Sequence, residues 1–229
     1  MRARLRDRMG VGEISVMSCG KPRYTSATNR VILERLVSRY RPDAVVLYLG
    51  INDNIYNTFP WVDEIPDVGY FDWRSPRSSL LVQMVRYHLF EKRLWSRTDF
   101  GPGELRSVAI LAGNVEAIVD AASAAGTRAV LYSFAVALPT GDAGLEAWLR
   151  SQEPVMEHFW GRVDSTLLGV EAHNRTLAEI AVRRGLPLAP VASLIPRDSE
   201  HFLDLCHLTA DGNRLLGEAV ADAVAGSAQ

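Results

Sequence analysis

The 229-residue chain has few cysteines, no long apolar run and no excess of charge of one sign. Its two cysteines, Cys19 and Cys206, lie far apart without a metal-type spacing, so we expect free thiols rather than a disulfide scaffold or a zinc site. No run of about 18 apolar residues is present, so no membrane-spanning helix is predicted. With 25 basic and 27 acidic residues the formal net charge is −2, so the sequence does not predict a basic surface that would bind nucleic acid or an anionic membrane.

The composition is that of an ordinary globular protein, with 48% hydrophobic and 23% charged residues. The length predicts one domain over residues 1–229 and the charge balance favours a small-molecule partner. Residues 1–9 are basic, but no apolar segment follows them, so they are not predicted to be a signal peptide. They are typical of the end of an amphipathic helix, and a cytoplasmic location is the default expectation.

The pattern of apolar runs predicts an α/β fold with a parallel sheet. Four short β-branched runs indicate strands, at residues 14–17, 44–49, 129–138 and 186–194. Helical periodicity predicts helices from Thr25 or Ser26 to Tyr40, over 104–125 and over 210–224. Each of the last three strands follows a helical segment that ends at a breaker, and this βαβ rhythm favours a parallel sheet.

Two stretches interrupt the rhythm and are rich in aromatic residues. Residues 54–102 include Tyr56 and Trp61 and are predicted to be helical only over 79–95. Residues 145–170 include Trp148 and Trp160. Long loops on a sheet predict a substrate pocket or lid, and the alternative is that these aromatic residues pack a core within each insertion.

A first group of polar residues follows the apolar run 44–49, in the sequence Gly50-Ile51-Asn52-Asp53. Ligands of parallel sheets bind at the carboxyl ends of strands, so Asn52 and Asp53 lie where a site is expected. An asparagine there can donate an N–H to a developing oxyanion. The alternative is a plain strand-to-turn transition, because Asn, Asp and Gly all favour turns.

A second group lies just before the last predicted helix. Asp204 precedes His207 by three residues, so its carboxylate can hold the imidazole in one tautomer while that ring acts as a general base. The alternatives are a helix entry capped by Thr209 and a metal site built from His201, Asp204 and His207. The metal site is disfavoured because no further ligand motif is present, so no metal and no cofactor are predicted.

Taken together, the two groups resemble the third and fifth conserved blocks of the SGNH/GDSL hydrolases. Residues 18–26, Ser-Cys-Gly-Lys-Pro-Arg-Tyr-Thr-Ser, resemble the second block, and residues 170–185 are similar to the penultimate helix of that family. The resemblance covers nearly the whole chain. It implies a three-layer α/β/α, flavodoxin-like fold and the hydrolysis of a small-molecule carboxylic ester.

The resemblance also implies a role for each matching residue. His207 is the general base, Asp204 orients it, and Asn52 donates to the oxyanion. The second oxyanion donor of the family is a backbone N–H of the second block, which falls on Arg23 here, with Gly20 as the alternative if the register is shifted. Asp53, Tyr56 and Trp61 are the candidate residues of the substrate pocket.

The family's nucleophilic serine lies in a Gly-Asp-Ser motif at the end of the first strand, and no such motif occurs in the chain. We therefore expect an N-terminally truncated domain whose first strand is missing and whose serine lies upstream. Ser18 occupies the second-block position and Cys206 adjoins the base, so neither is favoured as the nucleophile. The alternative functions are a non-catalytic binding protein for an acylated sugar, lipid or protein, and a flavin- or nucleotide-binding protein, which lacks support because no Gly-rich phosphate loop is present.

Overall fold

The computed structural model describes residues 6, 10, 13–21, 24–58, 98–152, 157 and 159–226. The strands within them are β1 Ala44–Leu47, β2 Arg128–Tyr132 and β3 Leu188–Ala189. The helices are α1 Ser26–Tyr40, α2 Ile55–Thr58, α3 Arg106–Ala124, α4 Ala143–Ser151, α5 Val163–Arg184, α6 Val191–Leu194 and α7 Ala210–Gly226. Two short 3₁₀ turns, Ile51–Asn54 and Pro102–Glu104, complete the described elements.

The three strands form one parallel sheet in the order β1-β2-β3. Val45 of β1 lies opposite Ala129 of β2, and Leu131 of β2 lies opposite Leu188 of β3. Parallel neighbours need a crossover, and α3 and α5 provide the two long crossovers here. The predicted α/β class with a parallel sheet is confirmed.

The residues of β2 divide between two hydrophobic cores because successive side chains point to opposite faces of a sheet. Ala129 and Leu131 belong to a core shared with α1, α3 and the C-terminal half of α5. Val130 and Tyr132 belong to a core shared with α7 and with Leu149 of α4. The sheet therefore lies between two helical layers, which is the predicted three-layer α/β/α arrangement.

Helix α1 begins and ends where its sequence indicates. Thr25 has extended backbone angles, and its hydroxyl accepts from the N–H of Thr28 at 3.5 Å, as an N-cap does. Arg41, with φ of 44°, ends the helix in the left-handed conformation, and Pro42 follows it. The hydrogen bond from the N–H of Ser26 to the carboxylate of Asp53 brings the start of α1 to the same end of the sheet as the residues that follow β1.

The prediction of a strand at residues 14–17 is wrong. The structure describes these residues, and they lie outside any strand, with Met17 59% exposed. A strand exists through its hydrogen bonds to a neighbour, and none of the described strands pairs with this segment.

Two other predicted strands are shorter in the structure than the apolar runs indicated. After Tyr132 the chain stays buried to Leu138, and Ser133 still donates to the carbonyl of Ala189 in β3. Phe134 and Ala135 donate to side chains and Ala137 to a loop carbonyl instead, because β3 ends at Ala189. The run 186–194 contains Pro187 and Pro190, which lack a backbone N–H, and the residues after Pro190 form α6 instead. Apolar content alone did not reveal these ends.

Among the described residues, α3 is the one helix that is long and apolar enough, by length and composition alone, to cross a membrane. Its buried face, which includes Leu111, Val115 and Ile118, packs in the core against the sheet. A helix in the core of a globular protein can have the same length and composition.

The predicted helix at 79–95 and most of the aromatic insertion, including Trp61, lie outside the described residues.

Candidate active site

Asp204 and His207 lie in the loop before α7 and form a hydrogen-bonded pair. Oδ2 of Asp204 is 2.7 Å from Nδ1 of His207. Oδ1 accepts from the backbone N–H groups of Cys206 at 2.9 Å and His207 at 2.8 Å. Since an ionised carboxylate only accepts, Nδ1 of His207 is the donor and Nε2 is left as the acceptor. The His207 side chain is 64% exposed, so Nε2 is accessible.

The ionised form of Asp204 is favoured by its surroundings. Partial burial raises the pKa of this carboxyl, but the N–H groups of Cys206 and His207 and the His207 ring lower it further, so the net pKa lies below the usual value. Asp204 is therefore ready to accept from the ring at neutral pH.

The loop that carries the pair is closed by its own backbone. The N–H of Leu203 donates to the carbonyl of His207 at 2.7 Å, and Phe202 and Leu208 form an antiparallel bridge. Ala137, after β2, donates its N–H to the carbonyl of Leu205 at 2.9 Å. These contacts fix the loop to the segment that leaves the carboxyl end of β2.

Asn52 lies in the 3₁₀ turn Ile51–Asn54, two residues after Gly50. Gly50 has φ of 153°, and a Cβ there would lie 3.3 Å from Cβ of Phe134, so both the backbone conformation and the close packing favour glycine. Nδ2 of Asn52 donates to the carbonyl of Tyr24 at 3.0 Å, and its Oδ1 accepts from Nε1 of Trp160 at 3.2 Å. Within the described part of the chain, one N–H of the Asn52 amide thus remains for another acceptor.

Asp53 is buried and binds the start of α1. Its carboxylate accepts from the backbone N–H of Ser26 at 3.0 Å and from the Ser26 hydroxyl at 2.5 Å. Nδ2 of Asn114 in turn donates to the Ser26 hydroxyl at 3.0 Å. Burial raises the pKa of Asp53 to about 7, although the hydrogen bonds from Ser26 oppose the shift. Asp53 thus joins the turn to α1 beneath the surface.

Tyr56, a candidate pocket residue, is fully buried in the structure. None of its surface is exposed, and its hydroxyl lies 3.2 Å from Oγ1 of Thr25. The contact ties α2 to the N-cap of α1 and places the ring in the core.

An apolar cluster connects the Asn52 turn with the His207 loop. Its buried members are Ile51, Phe134, Val136, Trp160, Val170 and Cys206. Ile51 precedes Asn52 and Cys206 precedes His207, so the two polar groups lie at the border of the same cluster. Tyr48 stacks on Phe134 within it, with ring centroids 4.6 Å apart. The turn after β1 and the loop before α7 thus share one end of the sheet.

The second-block residues lie beside this site. Tyr24 accepts from Asn52 and Ser26 donates to Asp53, so the segment before α1 contacts the turn after β1. Gly20 is described and exposed, and Ser18 is exposed as well. Arg23 lies outside the described residues.

The potential metal ligands of the described residues form one group. Ligand atoms of Asp204, Cys206 and His207 lie within 4.8 Å of one another. The hydrogen bonds within the pair account for this closeness, and burial raises the pKa of the Cys206 thiol, which disfavours the thiolate that a metal needs. His201 is not in the group, and its Nδ1 contacts Oδ1 of Asp198 at 2.6 Å.

Sequence reasoning missed a buried polar pair under the Asn52 turn. Nε2 of His173, in α5, lies 2.6 Å from Oγ of Ser107, and none of the His173 surface is exposed. Burial lowers the pKa of His173 to about 4, while the nearby Gly50 backbone acts in the opposite direction. The imidazole is thus kept neutral. The sequence gives no sign of this pair, because residues 107 and 173 are 66 positions apart.

The buried groups Asp53 and His173 predict opposite effects of pH on stability. The pKa of His173 falls from 6.5 to about 4 on folding, so its contribution is complete above about pH 6.5 and is lost as the pH falls towards 4. The pKa of Asp53 rises from 3.8 to about 7, so its contribution is complete below about pH 3.8 and is lost as the pH rises towards 7. The shifts correspond to about 3 kcal/mol for His173 and about 4 kcal/mol for Asp53.

In the parent, the free energy of unfolding should fall as the pH is lowered towards 4 because of His173, and this fall should be absent in His173→Gln. It should also fall as the pH is raised towards 7 because of Asp53, and this fall should be absent in Asp53→Asn. Urea unfolding of the parent and of both variants between pH 4 and pH 7 measures this. A free-energy difference between parent and variant that stays constant over that range would contradict the assignment.

A comparison with known protein families gives a match over most of the chain. The model for the GDSL-like Lipase/Acylhydrolase family matches residues 1–215, a span that includes Asn52, Asp204 and His207. A search of curated proteins gives no match.

Proposed function

The chain belongs to the GDSL-like lipase/acylhydrolase family, and from this we propose that it hydrolyses a carboxylic ester with His207 as general base, Asp204 as its orienting partner and Asn52 as an oxyanion donor. Ester hydrolysis is the general activity of the family. The observation that carries the proposal is the hydrogen bond between Oδ2 of Asp204 and Nδ1 of His207, at 2.7 Å.

The proton transfers follow from that contact. With Nδ1–H bonded to Asp204, the lone pair on Nε2 of His207 accepts the proton of a serine hydroxyl as its oxygen attacks the ester carbonyl. The resulting imidazolium returns the proton to the departing alcohol, which leaves an acyl-serine. Water then attacks the acyl group by the same route, and the acid is released. Asp204 stabilises the imidazolium in both halves of the reaction.

Asn52 acts on the charge that develops on the carbonyl oxygen. Its Nδ2 donates one hydrogen to the carbonyl of Tyr24, and no other described residue takes the second, which in this proposal is donated to the oxyanion. A backbone N–H of the preceding segment, at Arg23 or Gly20, is the second donor in this proposal. The contacts of Tyr24 and Ser26 with the Asn52 turn support it, because they bring that segment to the site.

The attacking serine belongs, in our proposal, to a strand outside the 229 residues. No Gly-x-Ser sequence occurs in the chain. Among the described residues β1 pairs only with β2, so its other edge is open to a further strand. A strand there would end beside Asn52, at the carboxyl edge of the sheet.

A fluorophosphonate probe and an aryl acetate test this function. We expect the 229-residue chain to be neither labelled nor active. A longer product of the same reading frame should be labelled at a serine that follows an apolar strand, and should hydrolyse the ester. His207→Ala should abolish both signals in the longer product.

Two outcomes contradict parts of the proposal. If the frame extended upstream encodes no such serine, or the longer product is inactive, the chain is a binding protein on a hydrolase fold. If the short chain is labelled at Ser18 and loses the label in Ser18→Ala, the nucleophile lies within the 229 residues.

A further inference from the structure

We propose that Trp160 is a positioning residue that holds the Asn52 amide with its free N–H directed at the oxyanion, an inference that rests on the proposed function. Trp160 lies 108 residues from Asn52 in the sequence. It belongs to neither of the two polar groups described above and lies in the second aromatic-rich stretch, residues 145–170.

The contact fixes which end of the amide faces which partner. The indole Nε1–H of Trp160 is a donor only, so the atom 3.2 Å away must be the oxygen of Asn52. The carbonyl of Tyr24 is an acceptor only, so the atom 3.0 Å from it must be the nitrogen. The two contacts therefore select one orientation, in which the remaining N–H points away from both partners.

The Trp160 ring is itself held in place. It is 8% exposed and packs in the cluster that also contains Ile51 and Cys206. Its backbone carbonyl accepts from Oγ1 of Thr166 at 3.0 Å. The next residue, Gly161, has φ of 88°, and a Cβ there would lie 2.6 Å from Cε1 of Phe100. The turn at 160–161 therefore has little freedom to move the indole.

A second contact joins the same two segments. Nδ2 of Asn54 donates to the carbonyl of Thr166 at 3.2 Å. The turn that carries Asn52 is thus tied to the start of α5 through Asn54 and to the turn before it through Trp160. Loss of the indole N–H would leave the hydrogen bond from Asn54 to Thr166 intact and would free only the Asn52 side chain.

Asn52 with only its Tyr24 contact would sample orientations in which the free N–H misses the oxyanion. The oxyanion forms in the transition state, so the effect falls on kcat rather than on KM. If Trp160 only packed in the core, its replacement would lower the stability of the protein and leave both kcat and KM unchanged. The two interpretations thus differ in a measurable way.

The experiment uses the active, serine-containing form of the protein with 3-benzothienylalanine at position 160, a side chain that keeps the shape of the indole and lacks its N–H. We expect kcat for an aryl acetate to fall roughly 10-fold with KM unchanged, the factor associated with one hydrogen bond. Trp160→Phe should show a loss of at least that size. Tyr40→Phe, at an aromatic residue that is 51% exposed at the C-terminal end of α1, is the control and should keep full activity.

Each outcome decides between the interpretations. In an Asn52→Ala background the replacement at Trp160 should have no further effect on kcat. Unchanged kcat in both Trp160 variants, or an equal fall in both backgrounds, would overturn the positioning role while leaving the proposed function intact. An inactive parent protein would overturn both.

Discussion

Replacing His207 by alanine is expected to lower kcat for ester hydrolysis roughly 10⁴-fold or more in the serine-containing protein. The variant loses the group that takes the proton of the serine, and Asp204 loses its hydrogen-bond partner. Asp204→Asn should approach the same loss, because an amide at that position can hold the ring in the wrong tautomer. The measurement is the initial rate of aryl acetate hydrolysis at saturating substrate.

The chain offers a matched control for this prediction. His201 contacts Asp198 with the same three-residue spacing and a similar distance, 2.6 Å between Nδ1 and Oδ1. Its side chain is only 14% exposed, against 64% for His207. His201→Ala should therefore leave the rate nearly unchanged, and an equal loss in both histidine variants would show that the base has been assigned to the wrong pair.

Asn52→Ala should cost less than the loss of the base, roughly 10²–10³-fold in kcat. The nucleophile and the base remain, and only one donor to the oxyanion is removed. We expect the kcat of His207→Ala to be lower than that of Asn52→Ala, because the base contributes more than one oxyanion donor. The reverse order would contradict the assigned roles.

The sequence predicted the layers of the fold better than the ends of its strands. The alternation of strands and helices could be read from the sequence because Gly and Pro residues separate the apolar runs. Each connection between runs is also long enough for a crossover helix, which parallel strands require. The end of β2 and the two-residue β3 depend on pairing between residues about 57 positions apart, such as Leu131 and Leu188. Local apolar content carries no information on such pairing.

A similar division applies to the candidate site. The Asp204 and His207 contact spans three residues, so its spacing alone indicated the hydrogen bond. Asn52 and Asp53 were found by their position after a strand, but the inward direction of Asp53 was not, because it depends on Ser26 at the start of α1. The contact of Trp160 with Asn52 has no sequence pattern, and only the folded chain brings the two residues together.

Gly169→Ala is expected to destabilise the protein by about 3 kcal/mol, the upper end for overpacking a dense interior. Gly169 lies in α5 where that helix meets the Asn52 turn. A Cβ at this position would lie 1.9 Å from Oδ1 of Asn54 and 2.8 Å from its Cγ. Asn54 is buried, donates to the carbonyl of Thr166 and accepts from Nδ2 of Asn57 at 3.3 Å. It cannot retreat without leaving buried polar groups unpaired.

Gly113→Ala provides the control, because Gly113 also lies inside a long helix, α3, and a Cβ there would meet nothing within 4 Å. Alanine is the better helix former, so this variant should be more stable than the parent by about 0.5–1 kcal/mol. Urea unfolding of the two variants should therefore move the midpoint in opposite directions. In the serine-containing protein Gly169→Ala should also lower kcat, because a displaced Asn54 moves the turn that holds Asn52. If Gly169→Ala instead matched Gly113→Ala in stability, α5 would not pack on the Asn52 turn as closely as the contacts of Asn54 require.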